Sequence, residues 1–183
     1  MLYFSYGSNL NRSAMARRCP GAKPVGVARL DGFRLQFRGY AHIALAPGHY
    51  VQGAVYEITE SHARLLDAYE DDAYERIKVT VTFDGKACTA MAYAMKKAAP
   101  AAPPRMDYYR EVALGYRDWG LDQRRLRRAR YDTLNVGGAN APALNATTAP
   151  TALVKKRDIR WDPARNPSGD LEALVRPPLP KKR

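Results

Sequence analysis

Two stretches of this 183-residue chain carry residue types whose spacing could do chemistry. The first is Tyr3-Phe4-Ser5-Tyr6-Gly7-Ser8-Asn9-Leu10. Leu2 to Tyr6 is short, aromatic and apolar, the pattern of a strand, and Gly7-Ser8-Asn9 interrupts it. A strand that runs into Gly-Ser-Asn presents consecutive backbone N–H groups at its end, and such a nest accepts a carboxylate or carbonyl oxygen. Gly7 would let a ligand approach the backbone closely; a plain turn is the competing reading of the same residues. The second stretch is Leu66-Asp67-Ala68-Tyr69-Glu70-Asp71-Asp72, where three consecutive acids close a helical pattern. The helix dipole disfavours negative charge at that end, and the chain as a whole carries +12. Either the acids form a solvated loop, or one is a carboxylate whose like-charged neighbours favour its protonated form, which suits a general base.

Other chemical motifs are missing from the chain. There is no Gly-x-x-x-x-Gly-Lys phosphate loop and no Gly-x-Gly-x-x-Gly after a strand. His42, His49 and His62 lack metal-like spacing to one another or to the two cysteines, so each reads as structural or surface. Cys19 follows Arg17 and Arg18, and cations favour thiolate; a partly buried, inert thiol is the plainer reading.

The elements that must hold these residues are mostly strands. Val25–Leu30 and Phe33–Phe37 flank Asp31-Gly32, a favoured hairpin dipeptide, and Ala41–Ala46 and Tyr50–Ile58 flank Pro47-Gly48 in the same manner. Arg76–Phe83 alternates, with Ile77, Val79, Val81 and Phe83 on one side and Lys78, Thr80 and Thr82 on the other. Asp84-Gly85 then turns the chain into Lys86–Met95, apolar on both faces, as expected of a central or barrel strand. Glu60–Tyr69 reads as a helix with Thr59 as N-cap, an apolar stripe of Leu65, Leu66 and Tyr69, and Glu70 on the flank of that stripe. Lys96–Pro104 is too rich in proline for helix or ladder and reads as a linker. Two short helices follow, Asp107–Arg117 and Leu121–Tyr131, separated by Trp119-Gly120.

Composition bounds the answer. Hydrophobic residues at 46% and charged residues at 26% exclude wholesale disorder, and no apolar run approaches the roughly 18 residues of a spanning helix. Met1 leads straight into Leu2-Tyr3-Phe4 with no basic leader, so the expected address is the cytoplasm. Thirty Lys and Arg against 18 Asp and Glu raise the prior for a polyanionic partner without bearing on fold.

The two stretches, in this order, resemble the γ-glutamylcyclotransferase-like family, which includes the γ-glutamylamine cyclotransferases and AIG2-like proteins. Tyr3 to Leu10 resembles its N-terminal signature, and Leu66-Asp67-Ala68-Tyr69-Glu70 its Leu-Asp-x-x-Glu segment, which carries the catalytic glutamate. Between them Ala41-His42-Ile43-Ala44 and Gly53-Ala54-Val55-Tyr56-Glu57-Ile58 also match; Tyr108, Gly115 and Gly120-Leu121 resemble the family's Tyr…Gly…Gly-Leu segment. The likeness covers roughly residues 1–130. It departs where Asp71-Asp72 follow Glu70, since family members often carry Gly there, and in the short stretch from Glu70 to Tyr74-Glu75-Arg76.

What the resemblance implies is an α+β fold, a small mixed β-barrel with surrounding helices and an internal substrate cavity, over residues 1–131. Residues 132–183 would be a basic, Ala- and Pro-rich extension. It implies an enzyme that releases 5-oxoproline from a γ-glutamyl compound: the free α-amine attacks its own γ-carbonyl and expels an amine or amino acid. No cofactor, metal or covalent enzyme intermediate is required. Glu70 would be the general acid/base, Tyr3, Phe4, Ser5, Tyr6, Gly7, Ser8 and Asn9 the cradle, and Tyr108 a substrate hydrogen bond.

The alternative is a silent barrel of the same family that binds nucleic acid or another polyanion. Arg124 to Arg130 holds five arginines in seven residues, and the tail adds Lys155-Lys156-Arg157 and Lys181-Lys182-Arg183. A solvated basic face behind Leu121 and Leu126 is the favoured reading of that helix, since aromatic residues are sparse there. A homodimer contact through the tail stays open.

Overall fold

The computed structural model describes residues 1–97 and 99–139. Five strands close into a barrel in the order β1-β3-β2-β4-β5. They are β1 (Leu2–Ser5), β2 (Lys23–Arg38), β3 (Tyr40–Glu57), β4 (Tyr74–Phe83) and β5 (Lys86–Met95). The helices are α1 (Arg12–Arg18), α2 (Glu60–Glu70), α3 (Met106–Asp118) and α4 (Gln123–Ala139), with 3₁₀ turns at Ser8–Leu10 and Asp71–Ala73. The expected small mixed barrel with surrounding helices is the observed fold: β1 runs antiparallel to β3, with Tyr3 opposite Tyr56, and parallel to β5, with Tyr3 opposite Met91.

β1 is short and surrounded, so Tyr3, Phe4 and Ser5 are all buried, with Phe4 fully enclosed. Its approach to β3 depends on Gly53. A Cβ there would lie 2.3 Å from the Ser5 carbonyl oxygen and 2.6 Å from the Phe4 ring. Alternation in β4 is as expected, with Val79 and Val81 buried and Lys78 and Thr80 exposed. Asp84 and Gly85, with φ of 48° and 70°, make the two-residue hairpin turn into β5.

Three strand expectations are corrected. Asp31-Gly32 and Pro47-Gly48 do not reverse the chain. β2 and β3 form a single long hairpin that turns at Gly39, with Arg38 opposite Tyr40, and its register shifts midway between Asp31 and Phe33. Gly32 (φ 77°) and Gly48 (φ 78°) supply the left-handed backbone of that irregularity, where β3 spends more residues than β2. β5 is dry on both faces only in its second half: Lys86, Ala87 and Thr89 are exposed, whereas Ala90, Ala92 and Tyr93 are buried. The Pro-rich linker does touch the sheet once, through an isolated parallel bridge between Ala102 and Arg38. The Gly39 N–H donates to the Ala102 carbonyl at 2.9 Å.

α1 has no counterpart in the sequence reading. Its N-cap is Asn11, whose Oδ1 accepts the Ala14 N–H at 2.8 Å. α4 begins at Gln123 and runs through residue 132 to Ala139, beyond the expected end at Tyr131. Leu126, Ala129 and Thr133 are buried along it, with Leu121 buried just before its start, and Thr133 Oγ1 accepts the Phe37 N–H of β2 at 3.4 Å. The tail motifs at 155–157 and 181–183 lie outside the described residues. Among the described residues, no helix is long and apolar enough to cross a membrane.

Candidate active site

At one mouth of the barrel the end of β1, the starts of β3 and β4 and the end of β5 meet the last turn of α2 and the first turn of α3. They line a pocket that is open to solvent on one side. β1 and the residue after it contribute Tyr3 and Tyr6, the loop and 3₁₀ turn Gly7, Ser8 and Asn9, α2 its last residue Glu70, and α3 Tyr108. Seven of the nine residues expected at the site therefore come together. Phe4 and Ser5 do not line the pocket; both are buried, Phe4 in the barrel core. Tyr74, Tyr93 and Ala41 line it as well, and sequence reasoning missed them as site residues. Tyr74 starts β4 directly after the Asp71–Ala73 turn, so the short link from Glu70 is what brings its ring to the mouth.

Glu70 reaches the interior because of helical phase. Thr59 Oγ1 accepts the His62 N–H at 3.2 Å and fixes the start of α2. Ala63, Leu66, Tyr69 and Glu70 then fall on the buried side, and Glu70 lies two turns after Ala63. Its residue is 6% exposed. Asn9 Nδ2 donates to Glu70 Oε1 at 3.0 Å and to the Tyr3 hydroxyl at 2.9 Å. Among the described lining residues Glu70 is the one carboxylate, and none is lysine or arginine.

The loop carrying Asn9 is held from behind by α3. Tyr108, Val112 and Gly115 share one helical face, at i, i+4 and i+7. Tyr108 meets the pocket, and Gly115 meets the 3₁₀ turn so closely that a Cβ would sit 2.5 Å from Leu10 Cβ and 2.6 Å from the Asn11 nitrogen. Trp119 Nε1 donates to the Leu10 carbonyl at 2.9 Å, one turn further on. The Tyr108 and Gly115 spacing thus has a physical meaning: one residue faces the pocket while the other lets the helix sit against the loop. Gly7 serves the same packing. A Cβ at Gly7 would stand 3.2 Å from the Tyr108 hydroxyl.

The pocket tyrosines are held as neutral hydroxyls. Burial raises Tyr3, Tyr6, Tyr74 and Tyr108 above the usual phenol range, and the charge of Glu70 adds to the rise in each. Hydroxyls on the rim are oriented by backbone: Tyr6 donates to the Tyr93 carbonyl at 2.5 Å, Tyr74 donates to the Ala41 carbonyl at 2.8 Å, and Tyr108 accepts the Ala41 N–H at 3.1 Å. The activated-thiol reading of Cys19 is overturned. The residue is fully buried, and burial pushes its thiol up to about 12 although Arg18 opposes the rise. Among the described residues, no three His, Cys, Asp or Glu side chains cluster as a metal site would require.

The family model for gamma-glutamyl cyclotransferase, AIG2-like proteins matches residues 3–119, a span that holds every pocket residue described above. The chain belongs to that family. It is an enzyme of the cyclotransferase type. It is 35% identical to a gamma-glutamylcyclotransferase of Bos taurus over 136 residues, 66% of this chain and 72% of the relative. It is also 35% identical over 136 residues to the gamma-glutamylcyclotransferase of Homo sapiens, with the same coverage. A solved structure of a gamma-glutamyl cyclotransferase superimposes with a TM-score of 0.64 at 28% identity, covering 84% of this chain and 94% of that one.

Proposed function

We propose that this cyclotransferase releases 5-oxoproline from a γ-glutamyl amino acid, peptide or amine, with Glu70 as general acid/base. The observation that supports this most is Glu70 itself, a buried carboxylate that accepts from Asn9 and lines a pocket whose other residues are uncharged, five of them tyrosines. In the reaction the α-amine nitrogen bonds to the γ-carbonyl carbon, the five-membered ring closes, and the bond from that carbon to the leaving nitrogen breaks. Glu70 takes the proton shed by the attacking amine and returns it to the leaving amine, so the protons balance without a co-reactant. Help of this type is worth about 10²–10⁴ in rate. The backbone N–H groups of Tyr6, Gly7 and Ser8, which follow β1 and line the pocket, stabilise charge on the carbonyl oxygen or hold the α-carboxylate. Tyr108, oriented by Ala41, hydrogen-bonds the substrate. Confining amine and carbonyl in a folded-back conformer removes the entropy cost of ring closure before the chemical step.

The test is 5-oxoproline release from a panel of γ-glutamyl dipeptides, glutathione, γ-glutamyl-lysine isopeptide and γ-glutamyl amines, with Glu70→Gln alongside. Turnover of one class that disappears in folded Glu70→Gln supports both reaction and base. Undiminished turnover in that variant removes the role given to Glu70.

A further inference from the structure

Behind the pocket lies a chain of polar contacts that the reaction as described does not use. Arg18, the last residue of α1, has only 12% of its side chain exposed. Its guanidinium donates to Asn9 Oδ1 at 2.8 Å and to Glu111 Oε1 at 2.7 Å, while its plane covers the Tyr69 ring at 3.9 Å. Three elements thus fix one guanidinium: the 3₁₀ turn, α3 and α2.

The direction of this chain carries the inference. An amide side chain has a donor end and an acceptor end of nearly equal size, and only its partners decide which faces where. Guanidinium can only donate, so the end of Asn9 that faces Arg18 must be Oδ1. The Nδ2 end must then face Glu70 and Tyr3, as it does at 3.0 and 2.9 Å. We propose that Arg18 is a positioning residue of the cyclotransferase: it sets the sense of the Asn9 amide, and the amide in turn holds the Glu70 carboxylate where it meets the substrate amine. The proposal rests on the role given to Glu70 above. While Glu70 is ionised it can only accept, and it favours the Nδ2 end of Asn9 by itself. Once Glu70 has taken the proton its O–H can donate to Oδ1, so without Arg18 the amide is free to turn over at that point and to engage the proton that the leaving amine needs.

A double-mutant cycle tests this. Removing Arg18 alone would strand Glu111, so Glu111→Gln serves as the common background for Arg18→Met, Asn9→Ala and both together. The readings are kcat and KM for 5-oxoproline release from the panel's best substrate, with thermal unfolding of each variant. If Arg18 acts through Asn9, Arg18→Met lowers kcat by about 10- to 100-fold where Asn9 is present, the scale of a misplaced catalytic group. KM then changes by less than about threefold, because ground-state holding is unaffected. Where Ala replaces Asn9, the same change lowers kcat by less than about threefold, since positions that act through one another are non-additive. An equal loss in both backgrounds, or no loss where Asn9 is present, overturns the proposal. Should Arg18→Met not fold, Arg18→Gln, whose amide accepts as readily as it donates and so leaves the sense of Asn9 unset, enters the same cycle with the same two outcomes. Glu70→Gln separates the layers. If that variant keeps full turnover, the base assignment fails and Arg18's role fails with it. If it is dead while the cycle is additive, Arg18's role alone is wrong.

Discussion

The pocket end of the barrel and the outer face of α4 use charge in opposite ways. Arg124 and Arg128 are 83% and 74% exposed, and their ion pairs are local, to Asp122 and Asp132. Arg125 lies over the Tyr50 ring instead. Arg18 at the pocket end is nearly enclosed, and its partners Asn9 and Glu111 lie 9 and 93 residues away in sequence. Exposed pairs are screened and contribute little. An enclosed guanidinium with directed partners dictates the orientation of everything it touches. Charge density along the chain is highest in α4, yet the charges that converge on a pocket are sparse and scattered through the sequence.

The largest effect that would sharpen this contrast is Glu70→Gln, expected to lower kcat by about 10²–10⁴ with the fold intact; circular dichroism and 5-oxoproline release read the two separately. The Arg18 cycle comes next, at about 10- to 100-fold. Gly115→Ala attacks the same region through packing, because the new Cβ would meet Leu10 and the Asn11 backbone. It is expected to cost about 1–3 kcal/mol in urea unfolding and to reduce turnover by shifting Asn9; unchanged stability would mean that α3 can withdraw from the loop.

A smaller effect concerns pH. Burial alone would raise the Asp67 carboxyl, but the hydrogen bonds from Arg76 and Tyr93 outweigh it and hold the group below its usual range. Its folded value is therefore lower than its unfolded one, and its contribution to stability is complete above about pH 4 and lost as pH falls through the lowered value. Denaturation of the native chain and Asp67→Asn at pH 6 and pH 3 should show the gap between them narrowing at the lower pH; a gap that widens would overturn the assignment. Arg128→Ala is the smallest, with less than about 0.5 kcal/mol expected and no change in turnover. A large loss of activity there would break the comparison between the two regions.

Much of the site was legible because its signals are local. Thr59 as cap and the Leu66 and Tyr69 stripe set the phase of α2, and that phase carries Glu70 inward. Asp84-Gly85 announced its hairpin correctly, whereas Asp31-Gly32 gave the same signal and proved to be an irregularity inside a long strand. A dipeptide shows that left-handed backbone is easily adopted; whether the chain reverses there depends on the register of the partner strand. The true turn, Arg38-Gly39-Tyr40, has no such dipeptide. α1 went unread: Asn11 caps it in the structure, but its seven residues carry too little apolar periodicity to announce a helix.

The sequence by itself determined the family signature, the helical phase that buries Glu70 and the two-turn spacing of Tyr108 and Gly115, because each depends on near neighbours along the chain. Only the tertiary structure decided that Tyr74 and Tyr93 share the pocket with them, that Phe4 turns away into the core, and that the Arg18 guanidinium reaches Asn9 Oδ1. Those relations arise from barrel closure, which brings β1, β4 and β5 to one mouth and α1 behind it. Closure is a property of pairing across the whole chain, and no local pattern encodes it.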